Sequence, residues 1–494
     1  MPRSARKLTR LRLTLTALVL APFALLLTAC PGPGGTLIQS VVITSHTNGQ
    51  VISGPRVIHL TATLMNMPDV ASYTVMLNGV AEAGTRSDSV ISADLELHDH
   101  ANKVAVEATS TAGHTVYAEV NLDYPFVTLG TYQAAAFAIG QDDLVSITEA
   151  TPRKMIQGPS GRPSVLGGHL YLPDEVLNRV LGYDVVPASS GASPDFVLGQ
   201  DQFDDTTGRE GASGLHAPGG TATDGVRLVV TDGNNSRVLL WNSAPTSTAA
   251  PADVVLGQGD FLTNIPSCAA TKVDHPAGAT IVGDKLVVAD TDNNRVLIWS
   301  LPTFNGAAAD VVIGQSSFTT CSNNDDDQDG AAEPGPTART LSGPLDVWSD
   351  GQRLYIADSF NNRVLVYDSL PTTNFRAADR VIGKTDFTSA APNAGASGLD
   401  LPSSVHGNAN QLFVADSGNN RVLVWQSVPT VNGAAADLVL GQTNFDNTTV
   451  NAGSLDPTAN GLSFPTGVYQ TGDLLIVGDY ENFRYVVYGG VTIP

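Results

Sequence analysis

Past residue 36 the apolar positions of this chain follow two rhythms. Between residues 37 and 124 apolar and polar side chains alternate, as in SVVITS, RVIHLTATL, SYTVMLNG, SVISADLEL, NKVAVEATS and TVYAEVNLDY. The segments HTNGQ, LNGV and STAGH supply the turns between them. A period of two marks strands buried on one face. About seven short strands of this kind predict a β-sandwich. After Tyr124-Pro125, over residues 126–494, the rhythm changes to unbroken apolar runs such as LVVAD, RVLIW and DVVLG. Such runs are expected of strands buried on both faces.

The second region is a repeat. An Asp is followed five residues later by an Arg at 174/179, 232/237, 290/295, 358/363, 416/421 and 479/484. A Pro stands fourteen residues before that Asp at 218, 276, 344, 402 and 465, while in the first copy Pro163 stands eleven before. A third marker is a run ending in Gly-Gln, as in DVVLGQGDF, DVVIGQSSF and DLVLGQTNF. The Arg-to-Arg spacings are 58, 58, 68, 58 and 63. Each period divides into four strands, and six such units predict six propeller blades. The region opens on FAIGQDDL, a fourth strand with nothing before it, and ends on VVYGGVTIP, a third strand with no fourth. The N-terminal strand is therefore expected to complete the last blade and cover its edge. The expected fold is all-β, a sandwich followed by a six-bladed β-propeller closed by an N-terminal strand.

Two resemblances follow from these strings. LSGPLDVWSDGQRLYIADSFNNRVLVYD resembles the NHL repeat in its Pro, its Asp-Gly turn, its strand ending in Ala-Asp and its Asn-x-Arg hairpin. The first copy (PDEVLNRV) and the last (GDYENFRYVV) depart from that pattern. The flow from NGQVISGPRVIHLTATL to KVAVEATSTAGH resembles the bacterial immunoglobulin-like domains of surface proteins. The NHL resemblance implies an extracytoplasmic sensor, a protein- or RNA-binding scaffold or, in a few members, a metal-dependent lyase.

The N-terminus alters where such a protein would sit. Five basic residues precede an apolar stretch from Leu13 to Leu27, and Leu27-Thr28-Ala29-Cys30 resembles a bacterial lipobox. Residues 1–29 thus read as a signal peptide, Cys30 as the lipidation site and 30–36 as a linker. Removing 1–29 takes five basic and no acidic residues, leaving 48 acidic against 21 basic side chains and a formal charge of −27. That charge repels nucleic acid and anionic headgroups, so contact with the membrane is expected through the lipid alone. Cys268 and Cys321 then remain as a pair in an oxidising compartment, bridged or as two separate thiols.

Candidate chemistry is sparse. The Asp–Arg cluster recurs six times around a ring, which marks a fastener, since a catalytic group is needed once. His98, His100 and His114 lack a third ligand at fixed spacing and read as turn residues. The longest period contains CSNNDDDQDGAAEPGP, in which Asp325, Asp327 and Asp329 alternate before Gly330. This is the first half of a calcium loop, with Ala331 offering a carbonyl and Glu333 a ninth-position ligand. Pro336 stands where the bidentate Glu would be, so an EF-hand is excluded and an isolated Ca²⁺ loop or a solvated acidic loop remains. His216, His275, Asp274 and His406 are the candidates for a metal-dependent lyase or hydrolase site at the channel. G-x-S-x-G, HExxH and nucleotide-loop motifs are absent from the sequence. The preferred reading is a non-enzymatic, monomeric binding or scaffold lipoprotein of a bacterial envelope, periplasmic or at the surface. Its partner would be an envelope protein or polysaccharide held on the loop-rich face, with calcium as the one candidate cofactor.

Overall fold

The computed structural model describes residues 39–52, 57–98, 100–147, 152–301 and 304–489. The leader, Cys30 and the linker lie outside the described residues.

The alternating region forms two sheets packed on one core. Ser40–Ile43, Val57–Met65, Val90–Glu96 and Thr85–Ser87 make the first. Gln50–Val51, Thr115–Tyr124, His100–Ser110, Val70–Leu77 and Val80–Glu82 make the second. Pairing is antiparallel except between Gln50–Val51 and Thr115–Tyr124. Inward residues such as Leu60, Ile91, Leu95, Val104 and Val106 are fully buried. Among the described residues nine strands appear where about seven were expected. Gln50–Val51, Val80–Glu82 and Thr85–Ser87 are too short to show a period of their own. Asn78 and Gly79, both at positive φ, form the two-residue hairpin turn that the Asn-Gly pair predicts.

Six four-stranded antiparallel sheets follow as blades. Blade 1 runs Ser164–Leu166, His169–Asp174, Arg179–Tyr183 and Phe196–Leu198. Blades 2 to 5 start at Pro218, Pro276, Pro344 and Pro402. Blade 6 takes Pro465–Thr471, Leu474–Asp479 and Arg484–Gly489 from the C-terminal end, and its fourth strand is Phe137–Ile139 from the N-terminal side. Each seam between neighbouring blades holds its own apolar cluster. In blade 3 Leu286 and Val288 face blade 2, while Val287 and Ala289 face blade 4. This two-sided burial is why the strands read as unbroken apolar runs. The sixth seam packs Ile476, Tyr485 and Val487 of blade 6 against Leu170, Leu172 and Leu181 of blade 1, so the ring is closed.

The sandwich meets the ring at the first hairpin of blade 5. Asn410 donates to the carbonyls of Ile52 and Pro125, at 3.1 and 3.0 Å. Gln411 exchanges hydrogen bonds with the backbone of Val127, at 2.6 and 2.9 Å.

The Asp–Arg cluster is a buried clamp in all six blades. Each Asp accepts one backbone N–H through Oδ1, sixteen residues upstream, at 2.6–2.9 Å. Its Oδ2 accepts from the Arg Nε at 2.6–3.2 Å. Every Arg is fully buried and spends its remaining N–H groups on loop carbonyls. Arg295, for example, donates to Phe318 on the departing loop and to Ala269 and Lys272 on the arriving one. The first Asn of the turn donates to Asp Oδ2 in blades 2 to 6. The residue before the Arg has φ between +48° and +56° in every blade. Asn tolerates that left-handed geometry, and Asn178, Asn294, Asn362 and Asn420 also accept a backbone N–H from the following blade.

The first copy needs one correction. Gly158 N–H serves Asp174 as His216 N–H serves Asp232, so Ser160 occupies the place of the repeat proline. Pro163 lies three residues further on.

Lys384 interrupts the Gly-Gln marker. In blades 1, 2, 3 and 5 the Gln amide donates to at least two carbonyls, as Gln258 does to Ser236 and Ile265. Lys384 is 5% exposed and donates to Asn393 Oδ1 and the Leu399 carbonyl. Burial lowers its pKa to about 8, partly offset by Asp416 and Asp400.

Removing one half of a clamp strands a buried charge, so Arg295→Ala is expected to cost about 3–5 kcal/mol in denaturant unfolding. Lys384 carries its full burial cost below pH 8, where the folded and unfolded chains are both protonated there. From pH 8 to 10.5 the folded chain sheds the proton first, so stability rises with pH across that window. Lys384→Gln is expected to stabilise the protein by about 1–3 kcal/mol at pH 7. That gain should shrink as unfolding is measured from pH 8 towards 10.5.

Candidate functional site

The clamps, the loops between blades and the acidic insertion gather at one end of the ring. Arg295 holds the Phe318 carbonyl, Asn294 donates to the Cys321 carbonyl at 3.1 Å, and Asn324 and Asn361 exchange side-chain hydrogen bonds. Cys268 and Cys321 are disulfide-bonded, with Cα atoms 6.3 Å apart. The bridge ties the loop entering blade 3 to the loop leaving it, four residues before Asp325.

Within the acidic loop the carboxylates take different directions. Asp325 is fully buried, and its Oδ2 accepts from Gly330 N–H at 3.0 Å. Its Oδ1 has no hydrogen-bond partner. Asp327 and Glu333 bring carboxylate oxygens to the same place, all within 4.8 Å of one another. Asp326 faces away, paired with Arg339 at 3.4 Å and accepting from Thr337 Oγ1 at 2.8 Å. Asp329 accepts from Ala331 N–H at 2.8 Å and stays outside the group. The loop thus brings together three of the four proposed ligands.

The channel candidates do not converge. His216 and Asp274 hold the same repeat position in adjacent blades, and their backbone N–H groups serve the clamps of Asp232 and Asp290. His275 lies beside Gly233 of the preceding blade, at φ +47°. Burial raises the pKa of Asp274, helped by Asp292 and opposed by His275. His406 is buried between the rings of Trp348 and Tyr469, at centroid distances of 5.3 and 4.8 Å. Its Nδ1 accepts from Gln470 N–H at 3.1 Å, and burial holds its pKa well below the usual histidine range. Among the described residues, the group of Asp325, Asp327 and Glu333 is the one cluster of three or more such side chains with metal-binding spacing.

A residue not singled out in the sequence fills the channel. Arg162 stands twelve residues before Asp174, and Asp346 stands twelve before Asp358. They hold equivalent positions in blades 1 and 4, which lie opposite each other in a ring of six. Their side chains form an ion pair at 3.2 Å, 4% and 2% exposed. Arg162 also donates to the carbonyls of Val347, Val405 and Ala279, on blades 4, 5 and 3. Asp346 accepts from Ser404 Oγ at 2.8 Å and from the N–H groups of Val347 and Val405. Burial raises the Asp346 pKa, and the facing Arg162 guanidinium opposes the shift. The pair fits because the same position in blades 2, 3 and 6 is Gly220, Gly278 and Gly467. A Cβ on Gly278 would lie 2.4 Å from Asp346 Oδ1. The only sequence signal was that an Arg and an Asp replace Gly at one repeat position, and the displaced Pro163 register concealed it.

No family model matches the chain, and no curated protein matches its sequence. Among solved structures the chain is similar to a 6-phosphogluconolactonase-like protein of Bacteroides uniformis ATCC 8492 at 12% identity, over 80% of this chain and 94% of that one, with a TM-score of 0.39. It is also similar to a chain of a nidogen/laminin complex at 13% identity, over 61% and 96%, with a TM-score of 0.31. The computationally designed protein Ika8 is 8% identical over 92% and 96%, with a TM-score of 0.32. At these values none of the names bears on what this chain does.

Asp346→Ala leaves the Arg162 guanidinium buried without its counter-charge and is expected to lower stability by about 3–5 kcal/mol. In a double-mutant cycle by urea unfolding, Arg162→Met combined with Asp346→Asn should cost less than the two single changes added together.

Proposed function

We propose that this chain is an extracytoplasmic binding or scaffold protein of a bacterial cell envelope. It is held to the membrane by a lipid on Cys30 and presents a six-bladed NHL-type ring on an immunoglobulin-like stalk. Its partner is an envelope protein or polysaccharide, bound by a single copy of the chain on the loop-rich face.

The observation that carries this reading is the occupied channel. Arg162 and Asp346 pair across the axis and fill the centre of the ring, and among the described residues the one cluster with metal-binding spacing lies in the acidic loop instead. The loop face carries the insertion, the disulfide and the exposed ring of Phe360. The −27 charge expected after processing suits a soluble surface that avoids nucleic acid.

Two measurements test the proposal. In a bacterial host fed an alkyne-tagged fatty acid, the full chain should take up label and Cys30→Ser should not. Equal labelling of both, or none in either, overturns the anchor. Phe360 and Phe304 are 60% and 63% exposed, on the loop face and the opposite face respectively. Immobilised protein should capture an envelope component that Phe360→Ser retains poorly and Phe304→Ser retains fully; equal retention overturns the assignment of the face.

A further inference from the structure

We infer that Asp325, Asp327 and Glu333 form a calcium site within the longest inter-blade loop, between blades 3 and 4. The inference stands on the loop alone and does not rest on the envelope role.

An acidic cluster is ordinarily a solvated surface feature, with its carboxylates turned to water. Here the first carboxylate is not solvated. Asp325 is 0% exposed and its Oδ1 has no partner, a costly state for a carboxylate oxygen unless a cation completes it. The carboxylates of Asp327 and Glu333 lie within 4.8 Å of it and of each other. Two oxygens bound to one Ca²⁺ are at most about 5 Å apart, given Ca–O distances of 2.3–2.6 Å.

The surrounding loop selects these three groups from five. Gly330, at φ +90°, bends the chain back so that its N–H reaches Asp325 Oδ2, five residues earlier. That bend brings Glu333 over Asp325 and Asp327, and Glu333 Oε2 is held by Asp326 N–H at 2.5 Å. Asp326 is turned outward by Arg339 and Thr337, and Asp329 is engaged by Ala331 N–H. No Lys or Arg is ion-paired to Asp325, Asp327 or Glu333 among the described residues, so their charge remains for a cation. Hard carboxylate oxygens without imidazole or thiolate favour calcium over zinc or copper. The disulfide at Cys321 fixes one end of the loop and Asn324, bonded to Asn361, fixes the next turn. Lacking a bidentate twelfth ligand, the site should bind in the weak range of extracellular modules, with a Kd of about 0.1–1 mM.

The test is calorimetric titration of CaCl₂ into the full chain after removal of metal with EDTA, with thermal melting in parallel. Wild-type protein should bind one equivalent saturably, and melting should shift upward as calcium is added. Asp327→Asn and Glu333→Gln should each weaken binding by at least about tenfold, while Asp329→Asn should change it by less than about threefold. Asp327 is exposed, so its variant is expected to fold and keeps the test decisive where a change at buried Asp325 would not. Absence of saturable binding to the wild type, or binding by Asp327→Asn indistinguishable from it, overturns the site.

Discussion

Everything in the ring depends on the burial of six arginines beside six aspartates. An ion pair taken out of water recovers its desolvation cost only when every remaining donor and acceptor is satisfied. Here the Asp accepts from its own blade's backbone and from the Arg, and the Arg gives its other N–H groups to the loops entering and leaving the blade. The charge therefore does structural work on segments with little regular structure of their own. Loops that would otherwise be set by weak local preferences become hydrogen-bond partners of a fully buried cation. This rigidity allows one of them to lengthen into an insertion without loosening the blade beneath it.

The clamp also explains where the blades are alike and where they differ. The second Asn of the turn needs a left-handed conformation and an N–H on the following blade to accept from. Phe483 stands at that position in blade 6. The following blade offers Pro159 at the receiving place, which has no N–H, so an Asn there would have nothing to accept. Blade 1 lacks the first Asn and has Leu177 in its place, and its Asp174 accepts a second backbone N–H, from Gln157. Departures at the two blades that meet at the closure are thus tied to the residues they face.

Much of the fold was legible in the chain because its signals repeat. Asp, Arg and Gly-Gln recur at spacings that only a radial array of four-stranded units explains, and the unmatched strands at either end announced their own pairing. The three shortest sandwich strands were not legible, because two or three residues carry no period. The channel pair was missed for a different reason. Aligning Pro163 with the repeat prolines shifted blade 1 by three residues, which removed Arg162 from the row it shares with Asp346 and the glycines. Only the Gly158–Asp174 hydrogen bond restores the register. At the acidic loop the alternation of Asp325, Asp327 and Asp329 was visible, but the turning of Asp329 to its own backbone depends on a bend that alternation cannot express. The histidines misled because their rarity looked like purpose, whereas His406 is held by rings and His216 by its backbone.

The strand Phe137–Ile139 and the carbonyl of Leu144, which Arg484 holds, have a consequence for the order of events during biogenesis. Leu144 and Arg484 are 340 residues apart. Until the last blade emerges, the early strand has no neighbour and one apolar side of blade 1 stays uncovered. Contacts of such long sequence separation slow folding, since loop entropy must be lost before they form. Assembly of this ring can finish only after its sixth blade has been made, so until then the chain remains an open arc.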